Sequence, residues 1–430
     1  MANPLQGLSY NKVTITSLDG KEVDLTNSLL STDYFEDILE PCVSTTLNVI
    51  SGYDIVEGLP IRGGERVIID LMCLSGRFVK QFRVYKVSNI STDKQKTSFT
   101  LNLSPDEHFN NELTRCVRKY EKLPVNQHVR SILQDVLKTN LIGIIEETSN
   151  SYSFIGNTKK PFHTLQWLGP KSISRVTKRS GSDGKEGTKD GEIKGTAGFV
   201  FYQNKDGFNF RSIDSLASRT RVDESSADDK DIQEYTTGEV LQANRLGAGA
   251  KIIEYYFEKN IDLRKSLRVG MYSSLVYNFN PANFSFSAYR YNLRDELKSS
   301  EKMGSEGKIK VLDIFGETPS RVYVQISDQG VLQKDGGEDD SGRDRGDYAK
   351  SFARYNLLFT QALNILVPCN LDLKVGDIIR CSFPELKAGK AKRSKGKTSG
   401  LYLIKELRHH FEANQSTTSL RLVRDSYGYQ

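Results

Sequence analysis

Alternation of apolar and polar residues dominates the first hundred positions. Val13 and Ile15 alternate with polar neighbours, Asp19-Gly20 marks a turn, and Val23 and Leu25 resume the pattern. Further strands are predicted over residues 45–50, 65–72, 78–87 and 97–103, the last with Phe99, Leu101 and Leu103 on one face. Short antiparallel strands separated by turns predict a small barrel or sandwich. The period then changes. Phe109, Leu113, Cys116, Val117 and Tyr120 recur at helical spacing. Pro124 opens a second helix carrying Val125, Val129, Ile132, Leu133, Val136 and Leu137. A third apolar set, Phe162, Leu165, Trp167 and Leu168, follows Pro161. Residues 198–202 and 207–211 form a hairpin turning at Asn204-Lys-Asp-Gly. Residues 252–257, 268–279 and 284–291 read as strands, with a turn at Asn280-Pro281. A short helix follows with Ala349, Phe352 and Ala353 inward. Strands close the chain at 361–367, 377–383, 401–407 and 417–423. The stretches 179–195 and 335–347 are polar and Gly-rich and read as loops.

The C-terminal strands echo the N-terminal ones. Gly64-Glu-Arg-Val-Ile-Ile-Asp lies on Gly376-Asp-Ile-Ile-Arg-Cys-Ser, Phe82-Arg-Val-Tyr-Lys on Leu401-Tyr-Leu-Ile-Lys, and Thr97-Ser-Phe-Thr-Leu on Thr418-Ser-Leu-Arg-Leu. Two similar barrels in one chain can take equivalent places in a ring, so a trimer would have pseudo-sixfold symmetry. The predicted class is mainly β within an α+β chain. It has a first barrel over 1–112 and a mixed α+β part over 113–235. The strands of the last seventy residues form the second barrel.

Composition narrows the function. The 430 residues are 37% hydrophobic and 27% charged, enough for several cores. No apolar run approaches the roughly 18 residues of a membrane span, and the N-terminus lacks the pattern of a signal peptide. The five cysteines are scattered without a Cys-x-x-Cys and read as reduced, mostly buried thiols. Adjacent His409 and His410 on a strand point to opposite faces, which argues against a shared metal. Gly247-Ala-Gly249-Ala has Ile252 where a dinucleotide fingerprint needs glycine, and 335–347 does not fit a calcium loop. Glu36, Asp106, Glu107 and Glu112 read as caps or solvated charges. No catalytic, cofactor or metal residues are assigned. The net charge of +6 is concentrated in one stretch. Residues 385–399 hold Lys387, Lys390, Lys392, Arg393, Lys395 and Lys397 against Glu385, which leaves the rest of the chain near neutral. That loop is either a solvated hairpin loop or a surface for phosphates or an acidic partner.

Several stretches together resemble one family. Residues 28–43, with Tyr34-Phe-Glu-Asp-Ile before a first barrel strand, look like its opening segment. Leu59-Pro-Ile-Arg-Gly-Gly-Glu-Arg-Val, Lys160-Pro-Phe-His-Thr-Leu-Gln-Trp-Leu, and the hairpin from Gly198-Phe-Val-Phe-Tyr to Gly207-Phe-Asn-Phe-Arg follow in family order. Leu371-Asp-Leu-Lys-Val-Gly-Asp-Ile-Ile and Ser399-Gly-Leu-Tyr-Leu-Ile-Lys complete it. The chain resembles the central baseplate hub of contractile-tailed phages of the T-even type, the related late-control proteins, and the hub half of type VI secretion spikes. The resemblance implies a four-part subunit whose second barrel is split between 236–260 and 348–430 around an inserted β-rich part over 261–347. It implies a non-enzymatic homotrimer, a torus without cofactors. It would join a central spike protein to the tail tube or tube-initiator proteins and meet the end of the tape-measure protein. DNA would pass through its lumen without specific binding. It would sit in the virion's tail baseplate after assembly in the host cytoplasm. The basic loop would then face a tube or spike partner. The alternatives are a nucleic-acid-binding barrel protein, the hub of a type VI secretion-like machine, and a cell-wall enzyme.

Overall fold

The computed structural model describes residues 7–426 apart from 53–60, 94–95, 176–196, 218–231, 238–249, 260–261, 282–283, 295–302, 304–313, 316, 327–346, 384–397 and 414. The loop predicted at 179–195 and every basic residue of the one at 385–399 lie outside the described residues, as does the loop predicted at 335–347 except Asp347, which instead begins a helix.

The alternating pattern of the first hundred positions becomes seven strands: β1 (Ser9–Thr16), β2 (Glu22–Asp24), β3 (Leu29–Asp37), β4 (Ser44–Ser51), β5 (Arg66–Cys73), β6 (Gly76–Asp93) and β7 (Lys96–Ser104). Val67, Ile69 and Leu71 point inward from β5 while Ile68 and Met72 face out, the period-2 pattern of a half-buried strand. Tyr34-Phe-Glu-Asp, expected ahead of the first barrel strand, is itself part of β3.

A mixed segment follows: α1 (Asp106–Leu113), β8 (Lys119–Pro124), α2 (Val125–Ser131), β9 (Ile142–Ile145), β10 (Ser151–Ile155), α3 (Pro161–Leu168), β11 (Phe199–Asn204), β12 (Gly207–Ser212) and α4 (Ile213–Ala217). The helix predicted through Tyr120 stops at Leu113. Cys116 bridges to Lys159, and Tyr120 lies in β8 against β10. Residues four apart share a face in a strand as well as in a helix, so Cys116 and Tyr120 are both buried in either geometry. The β11–β12 hairpin forms as predicted. Phe199, Phe201, Phe208 and Phe210 pack with Val129, Leu133, Phe162 and Leu165 in a core of their own.

Beyond it come β13 (Glu234–Thr237), β14 (Lys251–Ile252), β15 (Glu254–Lys259), α5 (Leu263–Arg268), β16 (Ser273–Asn280), β17 (Ser285–Asn292), β18 (Arg321–Ile326) and α6 (Asp347–Leu358). The strand predicted at 252–257 is thus two strands. The one predicted at 268–279 starts only at Ser273, because Asp262 caps α5 by accepting the Lys265 N–H at 2.9 Å. Strands β17, β16 and β18 form a separate sheet. Ala349, Ala353 and Leu357 of α6 pack against Val276 and Tyr291 of that sheet, with Phe352 only half-buried. Buried Arg354 ties the helix to Asp214 and Asp425.

The chain ends with β19 (Gln361–Pro368), β20 (Ile378–Ser382), β21 (Gly400–Glu412) and β22 (Gln415–Arg424). The N- and C-terminal strands belong to one 14-stranded sheet, and no closed ring of pairing exists among the described strands. Within it the repeat is explicit. The path β3-β4-β7-β6-β5 is matched by β15-β19-β22-β21-β20. Gly64 and Gly376 open the two hairpins at φ +95° and +88°. Gly64 N–H donates to Val84 O and Val84 N–H to Glu65 O. Gly376 N–H donates to Ile404 O and Ile404 N–H to Asp377 O. A bulge falls between Val84 and Lys86 in one copy and between Ile404 and Glu406 in the other. Val84 is therefore equivalent to Ile404, one residue from the sequence alignment. Leu101 is equivalent to Leu420, two residues from it, through the pairs Val87↔Leu101 and Leu407↔Leu420.

The equivalent glycines give a stability test. A Cβ on Gly376 would lie 2.3 Å from the Tyr202 hydroxyl, whereas one on Gly64 meets only Leu18 at 3.6 Å. Gly64→Ala should cost about 1–2 kcal/mol of backbone strain, and Gly376→Ala about 1–3 kcal/mol more for the clash. Urea titration of both variants checks this, and equal losses would mean that Tyr202 moves freely aside.

Candidate functional site

The two repeated strand sets meet along one ladder. The distal half of β21 pairs antiparallel with β3, from Glu406↔Asp37 to Glu412↔Ser31. The proximal half of the same β21 edge is taken by β20, from Cys381↔Gly400 to Ile378↔Leu403. One long strand thus serves two sets.

Charges are fitted to this ladder. Lys405 Nζ lies 2.7 Å from Asp37 and also pairs with Glu406. Arg421 bridges Glu406 at 2.7 Å and Glu258 at 2.6 Å. Asp33 accepts from Arg408 Nε at 2.8 Å and lies 2.6 Å from His410 Nδ1. On the opposite face Tyr34 stacks on His409 with ring centroids 6.1 Å apart. His409 is buried, bonded to the Thr418 hydroxyl, and its pKa is pushed down to about 3 by burial, so it is neutral. The two histidines point to opposite faces, as their adjacency on a strand predicts.

Glu36 is not the cap or solvated charge that its sequence setting implied. It is buried, accepting from the Tyr34 hydroxyl at 2.8 Å and the Val375 N–H at 3.0 Å. Burial raises its pKa to about 7 against the opposing pull of those hydrogen bonds. The β11–β12 turn closes the space beside it. Lys80 Nζ donates to Lys205 O at 2.8 Å, and Lys205 Nζ donates to the Leu371 and Asp372 carbonyls at 2.7 Å. Glu107 is likewise buried, accepting from Thr139 Oγ1 at 2.7 Å, while Asp106 and Glu112 pair with Arg83 and Lys160. These carboxylates hold elements together.

The sequence-assigned basic residues Lys387, Lys390, Lys392, Arg393, Lys395 and Lys397 lie outside the described residues. The base of their loop is described. Ser399 Oγ accepts the Phe383 N–H at 2.8 Å, and both residues are buried. The loop joins β20 to β21 where the first strand set has only the turn Leu74-Ser75 between Cys73 and Gly76. It is an insertion at an equivalent point of the repeat.

A second surface was not visible in the sequence. On the outer face of the three-stranded sheet, Phe279 of β16 stands between Phe286 of β17 and Ile326 of β18. Phe286, Val322, Val324 and Ile326 are all exposed, and Tyr277 stacks on Phe286 at 5.2 Å. Among the described residues no group of three or more His, Cys, Asp or Glu could hold a metal ion.

No protein-family model matches the chain, and no curated protein matches it. Solved structures do. The tail protein from Neisseria meningitidis MC58 matches at a TM-score of 0.54 and 12% identity, over 97% of this chain and 97% of that one. The 43 kDa tail protein of prophage MuSo2 from Shewanella oneidensis matches at 0.49 and 9%, over 96% and 98%. A component of the E. coli type VI secretion system matches at 0.42 and 11%, over 98% and 78%. The likeness to the first is one of fold, and it runs through nearly the whole chain.

Glu36 gives the junction a pH dependence. Between the ordinary carboxyl value and about 7, the folded chain keeps a proton that the unfolded chain has released. Stability therefore falls as pH rises through that window, by about 3 kcal/mol in all. Urea unfolding at pH 5, 6, 7 and 8 should show this decline, and Glu36→Gln should flatten it. A slope unchanged in the variant would assign the effect elsewhere.

Proposed function

We propose that this chain is a structural subunit of a phage tail baseplate. Three copies close a ring that joins a central spike to the tail tube and passes DNA. The carrying observation is the duplicated strand set of matched order and bulge, joined internally strand to strand. The fold shared with a tail protein supports the same reading. In this reading residues 1–112 and the split 236–260 with 348–430 are the two ring-forming units. Residues 113–235 and 261–347 lie outside the ring's wall. The role is non-enzymatic, in the virion's tail baseplate after assembly in the host cytoplasm. The tape-measure end and the tube or tube-initiator proteins are the further partners.

The internal junction suggests how copies join. It uses the distal half of β21 and the outer edge of β3. Their equivalents are the distal half of β6 and the outer edge of β15, and no described strand pairs with either. Pairing these between copies repeats the internal contact head to tail, and such contacts make closed rings when the rotation closes. Three chains then present six near-equivalent units. Ser91 of β6 is equivalent to His410, and Tyr256 of β15 to Asp33, so the pair His410↔Asp33 becomes Ser91↔Tyr256 of a neighbouring copy.

Two measurements test this. Light scattering should give about 145 kDa, three times 48.4 kDa, alone or with a co-expressed spike. A strict monomer in both conditions would overturn the ring and favour a nucleic-acid-binding protein. Ser91→Cys with Tyr256→Cys should then yield covalent dimers and trimers on oxidation, each single variant should not, and a trimer without cross-links would refute these edges alone. The basic loop is proposed to dock a tube or spike partner. Serine at all six basic positions should weaken docking at moderate salt and leave the ring's mass unchanged, whereas unchanged docking would remove the loop from the interface.

A further inference from the structure

None of the five cysteines takes part in the edge pairing proposed between copies, and two of them meet. Cys73 ends β5 in the first strand set, and Cys369 follows β19 in the second, 296 positions further along the chain. Their sulfurs are 3.9 Å apart, and both are free thiols. The surroundings hold them there. Ser75 Oγ lies 3.1 Å from Cys73 Sγ and accepts the Leu371 N–H at 3.1 Å, so one hydroxyl already clasps the two segments. The Cys369 N–H donates to Ser416 O, and the Asn370 N–H donates to Thr418 Oγ1. Both cysteines therefore sit on backbone fixed by neighbouring strands.

We propose that Cys73 and Cys369 form an oxidisable dithiol that becomes a disulfide staple between the two repeated strand sets when the protein leaves a reducing compartment. The bond needs the sulfurs to close from 3.9 Å to about 2.05 Å. Chemistry favours this pair over the other cysteines. The hydrogen bond from Cys369 draws the Cys73 thiol below the ordinary thiol value and pushes Cys369 above it, so Cys73 is the readier thiolate of the two. Burial instead raises Cys42 and Cys381 above the ordinary thiol value.

The oxidant is a small diffusible disulfide such as oxidised glutathione. The Cys73 thiolate attacks one of its sulfurs, and a glutathione thiolate leaves. The second cysteine then loses its proton, attacks the protein-bound sulfur and expels the second glutathione thiolate. The protein gives up two electrons and two protons, and the oxidant becomes two thiols. The staple closes a loop of nearly 300 residues, the long-loop case in which cross-linking restrains the unfolded chain most.

Oxidised glutathione is added to the folded full chain, and intact mass and linked peptides are read. The expected product has lost two hydrogens, carries one Cys73–Cys369 peptide and no glutathione, and unfolds about 2–5 °C higher. Cys369→Ser should stop at a glutathione adduct on Cys73, and Cys73→Ser at one on Cys369 or at no reaction. An unchanged mass in the native chain, a lasting adduct there, or a bridge between other cysteines would overturn the staple. The readout is the same for a monomer or a ring, so its failure leaves the proposed function standing.

Discussion

The ladder between β3 and β21 is the contact on which the rest of the structure depends. It joins Asp37 to Lys405, residues 368 positions apart, and closing so long a loop is entropically costly. What offsets the cost is that both partners bring backbone groups along edges that no other described strand covers. Seven consecutive pairs satisfy those groups. The side chains add specificity. Asp33 facing Arg408 and His410, and Asp37 facing Lys405, fit one register, and a slip by one residue would turn every one of them to the other face.

A consequence is that the mixed segment cannot be an independent attachment. The tip of its β11–β12 hairpin fills the space beside buried Glu36, and Lys205 there caps two carbonyls of the C-terminal set. Tyr202 of the same hairpin lies against Gly376, the glycine that opens the second repeat. Gln203 accepts the Val43 N–H at 3.1 Å, just before β4 of the first repeat. One hairpin therefore touches both strand sets where they join, and its burial on both faces suits the unbroken aromatic and apolar run Phe199-Val-Phe-Tyr of β11.

Most strands were legible in the sequence because one face is buried and the other is wet, as in β5. β3 was not, because Asp33, Tyr34 and Glu36 are buried with only one apolar ring among them, and polar residues hide the alternation. The repeat was legible, but its register slipped by one or two residues. The bulges at Tyr85 and Lys405 are matched in the two copies and leave the offset unchanged. The slip arises because Leu401-Tyr-Leu-Ile is apolar and buried at every position, so no alternation fixes its register. The junction was invisible for a different reason. Its ion pairs link residues that a single sequence cannot associate, and its key carboxylate, Glu36, resembles any surface acid. The basic loop stood out by charge alone, while the described charged residues that hold elements together occur one or two at a time along the chain.

The two strand edges that no described strand pairs with differ in a way that bears on assembly. Exposed edges invite pairing with any other strand and are a hazard unless something manages them. Over residues 86–93 of β6 the exposed residues are Lys86, Asn89, Ser91, Thr92 and Asp93, with Ile90 the apolar exception. β15 instead exposes Tyr255 and Tyr256. Two β6 edges meeting each other would set polar rows together and gain little apolar burial. Two β15 edges would bury aromatics but would oppose their own glutamates, Glu254 and Glu258. The unlike pair buries the tyrosines of one edge while leaving the polar row of the other hydrated on its outer face, and it reproduces a register already tested inside each chain. The chemistry of the edges thus favours head-to-tail joining of unlike edges over symmetric pairing of like ones, and joining of that kind is what lets a duplicated strand set close a ring.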